Sequence, residues 1–111
     1  MTVRWRVRIA ARAEQDLTAI LRWTRTNFGT GQSALYREAI LATIRELERG
    51  PDIAGARDRG DVAAGLKAIR VARSGRRGSH IIFFRGGPGV IEIARILHEA
   101  MDFARHFEEG K

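Results

Sequence analysis

Hydrophobic positions along the chain switch between two periods, and each switch marks an element. Val3, Trp5, Val7 and Ile9 alternate with Arg4, Arg6 and Arg8. This is the two-residue period of a half-buried strand, and its charged outer side suits a sheet edge. From about Ala11 to Asn27 the period lengthens. Ala13, Leu17, Ile20, Leu21 and Thr24 then share one helical face, and Phe28-Gly29 supplies a stop with glycine just past the end. A second helix begins near Thr30 or Ser33, carries Tyr36, Ile40, Ile44 and Leu47 as its apolar stripe, and ends at Gly50-Pro51. The short link predicts a helical hairpin whose joint apolar face needs a sheet to cover it.

Pro51 to Gly65 shows no period and reads as a loop. Three strand-like segments follow: Leu66–Ala72, His80–Arg85 and Val90–Leu97. The turn-rich runs Arg73–Gly78 and Gly86–Gly89 separate them, which predicts an antiparallel meander. Ile81-Ile82-Phe83-Phe84 is apolar on both faces, as a central strand requires. A last helix, Glu99 to about Glu108, turns Met101, Ala104 and Phe107 toward the core and leaves Phe103 pointing elsewhere. The order β-α-α-β-β-β-α predicts a single α+β domain over residues 1–111, with the helical hairpin packed on a mainly antiparallel four-stranded sheet.

Composition sharpens this picture in two respects. An apolar fraction of 44% supports a packed core rather than a disordered chain. The formal charge of +7 implies an acidic partner. Of the 20 basic residues only Lys67 and Lys111 are lysine, so 18 are arginine, whose forked donors suit carboxylates and phosphates. With no cysteine, disulfides, thiolate metal sites and cysteine nucleophiles are excluded. No apolar run is long enough for a signal peptide or membrane span, so the expected location is the cytoplasm.

Several segments, in this order, resemble the RelE/ParE toxin superfamily, and specifically its ParE branch. In the first helix Ala13-Glu14-Gln15-Asp16-Leu17, Ile20 and Phe28-Gly29 are similar to the family's A-x-x-D-L-x-x-I…F-G pattern. Tyr36 and Leu47-Glu48 before Pro51 follow. Ile82-Phe83-Phe84-Arg85, then Ile91-Glu92-Ile93-Ala94-Arg95-Ile96-Leu97-His98 and Asp102 resemble the ParE run I-F-Y-R, I-x-I-x-R-x-L-H and D. Phe84 stands where many members carry tyrosine. The resemblance spans residues 4 to 107. It implies a toxin that inhibits DNA gyrase by binding, stalls it on cleaved DNA, and does no chemistry itself. It also implies a ParD-like antitoxin whose acidic C-terminal segment folds along the toxin and whose N-terminal part binds operator DNA. The alternative with the same fold is a RelE-like, ribosome-dependent mRNA endonuclease.

The candidate residues divide along these readings. Arg70, Arg85 and Arg95 lie on successive strands and, in register, would form a cationic strip for antitoxin carboxylates, with Arg4 and Arg6 beside it. Arg95 stands in the row of Ile91, Ile93 and Leu97 and needs a partner, either Asp16 or Glu92 within the chain or an acid from outside. The row Arg4, Arg6, Arg8 is either a solvated face or an edge beside which a partner adds a segment. Met101, Asp102, Phe103 and Arg105 mix an adaptable apolar group with charges and are expected to touch the target. In the nuclease reading His98 would act with Arg70, Arg85 and Arg95; otherwise it caps a strand end or bonds to backbone. Against the nuclease stand a single tyrosine, Tyr36, on a helix stripe, and a lone His98. His80, His98 and His106 lack metal-ligand spacing, so no metal or cofactor is expected. Gly86–Gly89 is a hairpin turn rather than a phosphate loop. With no groove-reading element, direct nucleic-acid binding is not expected.

Overall fold

The computed structural model describes residues 4–73 and 76–108. The N-terminal alternation becomes strand β1 (Arg6–Ile9), whose Val7 and Ile9, with Trp5 just before it, pack into the core while Arg6 and Arg8 face solvent. Val3, predicted to share that inner side, lies outside the described residues. Helix α1 (Ala11–Phe28) turns at Gly29, φ 93°, directly into α2 (Thr30–Glu46), which tightens into a 3-10 turn over Leu47–Arg49. The left-handed backbone at Gly29 suits glycine at this tight junction. Ala13, Tyr36, Ile40, Ile44 and Leu47 are buried, as the two stripes predict.

Among the described residues the sheet has five strands, in the order β1-β5-β4-β3-β2. Strands β3 (Lys67–Arg73), β4 (Arg76–Gly87) and β5 (Val90–His98) form the predicted meander. β1 lies parallel to β5 at one edge, and β4 is central. The α+β class is as predicted, with one strand more than the pattern gives. The extra strand, β2 (Arg57–Asp58), is only two residues long, too short for any hydrophobic period to reveal it. The β3–β4 pairing also runs further than predicted, setting Arg73 opposite Arg76, and Ser74-Gly75 at its tip lies outside the described residues. At the other end Gly87 pairs with Val90, so the turn shrinks to Pro88-Gly89, with Gly89 at φ 71°.

Both sheet faces are covered. The hairpin lies over Ile69, Val71, Ile82, Phe84, Ile91, Ile93 and Ile96. The opposite face carries a smaller cluster, Leu66, Ala68, Ile81, Phe83 and Leu97, against which Phe103 and Phe107 of the short helix α3 (Phe103–Glu108) pack.

Two predictions of side-chain direction need correction. A register shift between Phe83 and Phe84 places Arg95 opposite Phe83 and Ile93 opposite Phe84, leaving Ala94 as an extra residue in β5. This bulge moves Arg95 off the side of Ile91 and Ile93, so Ile96 continues their row under the hairpin. The last helix starts at Phe103 rather than Glu99, because the Asp102 carboxylate accepts from the Arg105 backbone N–H at its first turn (3.4 Å). With that start Phe103 and Phe107, four residues apart, face the sheet, and Met101 and Ala104 are left exposed. Among the described residues no helix is long and apolar enough to cross a membrane.

Candidate functional site

The sheet face away from the hairpin combines apolar surface with arginine. Strand alternation sends Ala68, Ile81, Phe83 and Leu97 there, joined by Leu66. Arg70 stands opposite Ile81, Arg95 opposite Phe83, and Arg85 two residues beyond Phe83 on the same strand. The three arginines therefore share a face and ring the apolar cluster, instead of forming the one strip expected if register brought them together. Phe103 and Phe107 lie on Phe83 with ring centroids 4.9 and 5.5 Å away.

A further arginine, Arg59, completes the rim. Its guanidinium lies 6.0 Å from the Phe83 ring centre and 5.4 Å from that of Phe103, and it holds both carboxylate oxygens of Asp61 at 3.0 Å. Those hydrogen bonds raise the Arg59 pKa and lower that of Asp61. Nothing in the aperiodic segment 51–65 distinguishes Arg59 from its neighbours in sequence. Only its position over two rings does.

The arginines expected to meet an acidic partner differ in what they already hold. Arg95 is buried and forks onto Asp16, with Nε to Oδ2 and Nη2 to Oδ1 both at 2.9 Å, while its Nη1 donates to the His106 carbonyl. The same Asp16 carboxylate accepts from the Ile96 backbone N–H at 2.9 Å. Because β1 pairs with β5 only as far as Ile93, the β5 edge is open beyond it, and Asp16 closes that edge from α1. Of the two internal partners the sequence offers, Asp16 is the one used, and Glu92 instead takes Arg8 at 2.9 Å. Arg70 binds Glu99 at 2.6 Å, and Arg4 binds Glu48 at 3.3 Å. Arg85 reaches the Ala64 carbonyl at 3.4 Å and lies 5.8 Å from the Phe107 ring centre. Among the described residues neither Arg85 nor the exposed Arg6 has a carboxylate partner.

His98 is not isolated. Its ring lies edge-on to His80, centroids 5.3 Å apart, and His80 Nδ1 is 2.7 Å from the Tyr36 hydroxyl. This Tyr36–His80–His98 row, at the end of the β4–β5 pair, corrects the picture of a lone histidine. Its electrostatics are specific. The Ala100 backbone N–H donates to His98 Nδ1 at 3.0 Å, so the neutral ring carries its proton on Nε2. Burial, then the nearby His98, lowers the His80 pKa to about 4 against a smaller opposing pull from Glu99. His80 is accordingly neutral near pH 7.

The residues expected to touch the target separate in space and role. Met101 and Arg105 are exposed, Asp102 caps α3, and Phe103 is half-buried against Phe83. Among the described residues no group of three His, Asp or Glu side chains could hold a metal ion.

Residues 7–103 match the family described as the ParE toxin of the type II toxin–antitoxin system parDE. No curated protein is similar enough in sequence to match. A solved structure, the chromosomal ParDE toxin–antitoxin system from P. aeruginosa, contains a chain of similar fold, with a TM-score of 0.71 at 20% identity. The similarity covers 85% of this chain and 95% of that one.

Proposed function

Because the chain belongs to the ParE toxin family of type II toxin–antitoxin systems, we propose that it acts by binding alone, inhibiting DNA gyrase in the cytoplasm. A ParD-like antitoxin neutralises it, laying an acidic C-terminal segment along the sheet face. The observation that carries this reading is the apolar cluster Leu66, Ala68, Ile81, Phe83 and Leu97 ringed by arginines under a helix of only six residues. An amphipathic acidic segment finds there both an apolar floor and forked donors, the pairing that coupled folding and binding requires. Arg85, with no carboxylate partner among the described residues, is the first arginine available to it, and Arg70 exchanges the half-exposed Glu99 for a partner's carboxylate at small cost.

The RelE-like endonuclease is the second reading, and the Tyr36–His80–His98 row is what favours it. Its hydrogen bonds favour it less. A general base needs a free lone pair facing the substrate, whereas His98 presents Nε2–H and commits Nδ1 to the backbone. The test sets the purified chain against gyrase supercoiling and, in parallel, against a translating extract. Inhibited supercoiling with intact mRNA, unchanged in His98→Ala, supports binding. Codon-specific mRNA cuts that disappear in His98→Ala would reverse the order of the two readings.

A further inference from the structure

Three of the four large hydrophobic side chains exposed among the described residues gather where α1 meets α2: Trp23 at 60%, Phe28 at 63% and Leu35 at 59% exposure. None belongs to the arginine-ringed sheet face. Soluble domains rarely leave a tryptophan and a phenylalanine this open without a use for them. The two rings pack on each other, centroids 5.6 Å apart edge-to-face, and the Asn27 side chain donates to the Trp23 backbone carbonyl at 2.8 Å within the last turns of α1. Across the junction the Ser33 hydroxyl donates to the Leu21 carbonyl at 2.9 Å, which fixes the start of α2 against α1. At Gly29 and Gly31 a side chain would meet nothing within 4 Å, so the turn projects into open space.

The charges in the sequence on either side of this turn are positive up to Glu38. Between Asp16 and Glu38 the sequence holds no acidic residue, but it holds Arg22, Arg25 and Arg37. Arg37 is paired with Glu38 at 3.5 Å, whereas Arg22 and Arg25 form no ion pair among the described residues. Tryptophan and arginine together, preorganised and unpartnered, are the residue types that dominate binding hot spots. A second copy of this chain would bring like charge against like. A partner with carboxylates around an aromatic or aliphatic anchor matches both halves of the patch.

We propose that the hairpin tip, through Trp23, Phe28, Arg22 and Arg25, docks an acidic segment of a partner protein that carries apolar anchors. It lies on the hairpin layer, so it and the sheet face can be occupied together. The proposal does not depend on the gyrase reading, and the experiment below fails independently of any supercoiling assay.

The test follows Trp23 fluorescence in the full chain, with Trp23→Phe as the blank for Trp5, during titration with a poly(Glu,Tyr) copolymer, poly(Glu) and a dT20 oligonucleotide. The expected result is a saturable blue shift with poly(Glu,Tyr), weaker binding of poly(Glu), and no comparable response to dT20. The double variant Arg22→Glu/Arg25→Glu should bind poly(Glu,Tyr) about tenfold or more weakly. Its circular dichroism and melting temperature should match the wild type because both sites are exposed; Arg22→Gln/Arg25→Gln replaces it if they do not. No response to poly(Glu,Tyr), a response indifferent to the two arginines, or an equal response to dT20 overturns the proposal. So does concentration-dependent dimerisation abolished by Trp23→Ser, which would make a second copy the occupant.

Discussion

Replacing Asp16 by leucine should destabilise the domain more than almost any other single change outside the apolar core. The side chains of Asp16 and Arg95 are 14% and 10% exposed, and three contacts at 2.9 Å converge on the one carboxylate. Removing it takes the forked carboxylate from a buried guanidinium, a loss of about 3–5 kcal/mol. It also frees the Ile96 N–H at a sheet edge, a smaller loss of about 1 kcal/mol that overlaps the first. A domain of 111 residues has about 6–17 kcal/mol of stability in all, so the variant should remain folded but lose roughly 12–20 °C in melting temperature. Urea unfolding followed by circular dichroism measures the change, with Arg95→Met and the double variant completing a cycle. The double variant should recover most of the loss, staying about 1 kcal/mol below wild type because Ile96 still lacks its acceptor. A loss under about 1 kcal/mol in Asp16→Leu, or additive losses in the double variant, would refute the reasoning.

The His80 pKa, lowered by burial to about 4, predicts a pH dependence. The unfolded ring takes its proton near 6.5 and the folded one only near 4, so between those values the unfolded state binds more protons and stability falls as pH falls. Discounted for the ring's partial exposure, the loss from pH 7.5 to 4 is about 1–2 kcal/mol. It should appear as the difference between wild-type and His80→Gln urea midpoints across that range; parallel curves would remove it. Gly50→Ala places a methyl 3.3 Å from Trp5 Nε1 at φ 125°, and should cost about 1–3 kcal/mol and alter Trp5 emission; an unchanged melting temperature would contradict this. Phe103→Ala removes a ring packed 4.9 Å from Phe83 and should loosen α3, with a loss of about 1–3 kcal/mol and faster amide exchange over residues 103–107; exchange unchanged there would show that Phe107 alone holds the helix.

What the sequence reveals and what it conceals follow from one physical distinction. Patterns set within one element are legible. The stripe Tyr36, Ile40, Ile44, Leu47 and the doubly apolar Ile81–Phe84 state their burial directly, because periods of 3.6 and 2 are properties of the local backbone. A bulge breaks that logic. One extra residue at Ala94 inverts every later assignment on β5, which is why Arg95 appears to share a side with Ile91 and does not. The demand of Arg95 for an acid is legible, whereas the choice of Asp16, 79 residues away, depends on where β1 stops pairing. Tyr36 and His80, 44 residues apart, are invisible as a pair for the same reason. The α3 register turns on a cap at Asp102, which competes in sequence with an equally plausible start at Glu99.

We propose that this chain disables gyrase by contact and leaves covalent chemistry to the enzyme it binds. Supercoiled plasmid, purified gyrase, ATP and increasing toxin, quenched with detergent and digested with protease, test it most directly. Linear DNA should accumulate with toxin dose, only when gyrase is present, and equally with His98→Ala. Plasmid that stays fully supercoiled by an unimpaired gyrase at saturating toxin would contradict it.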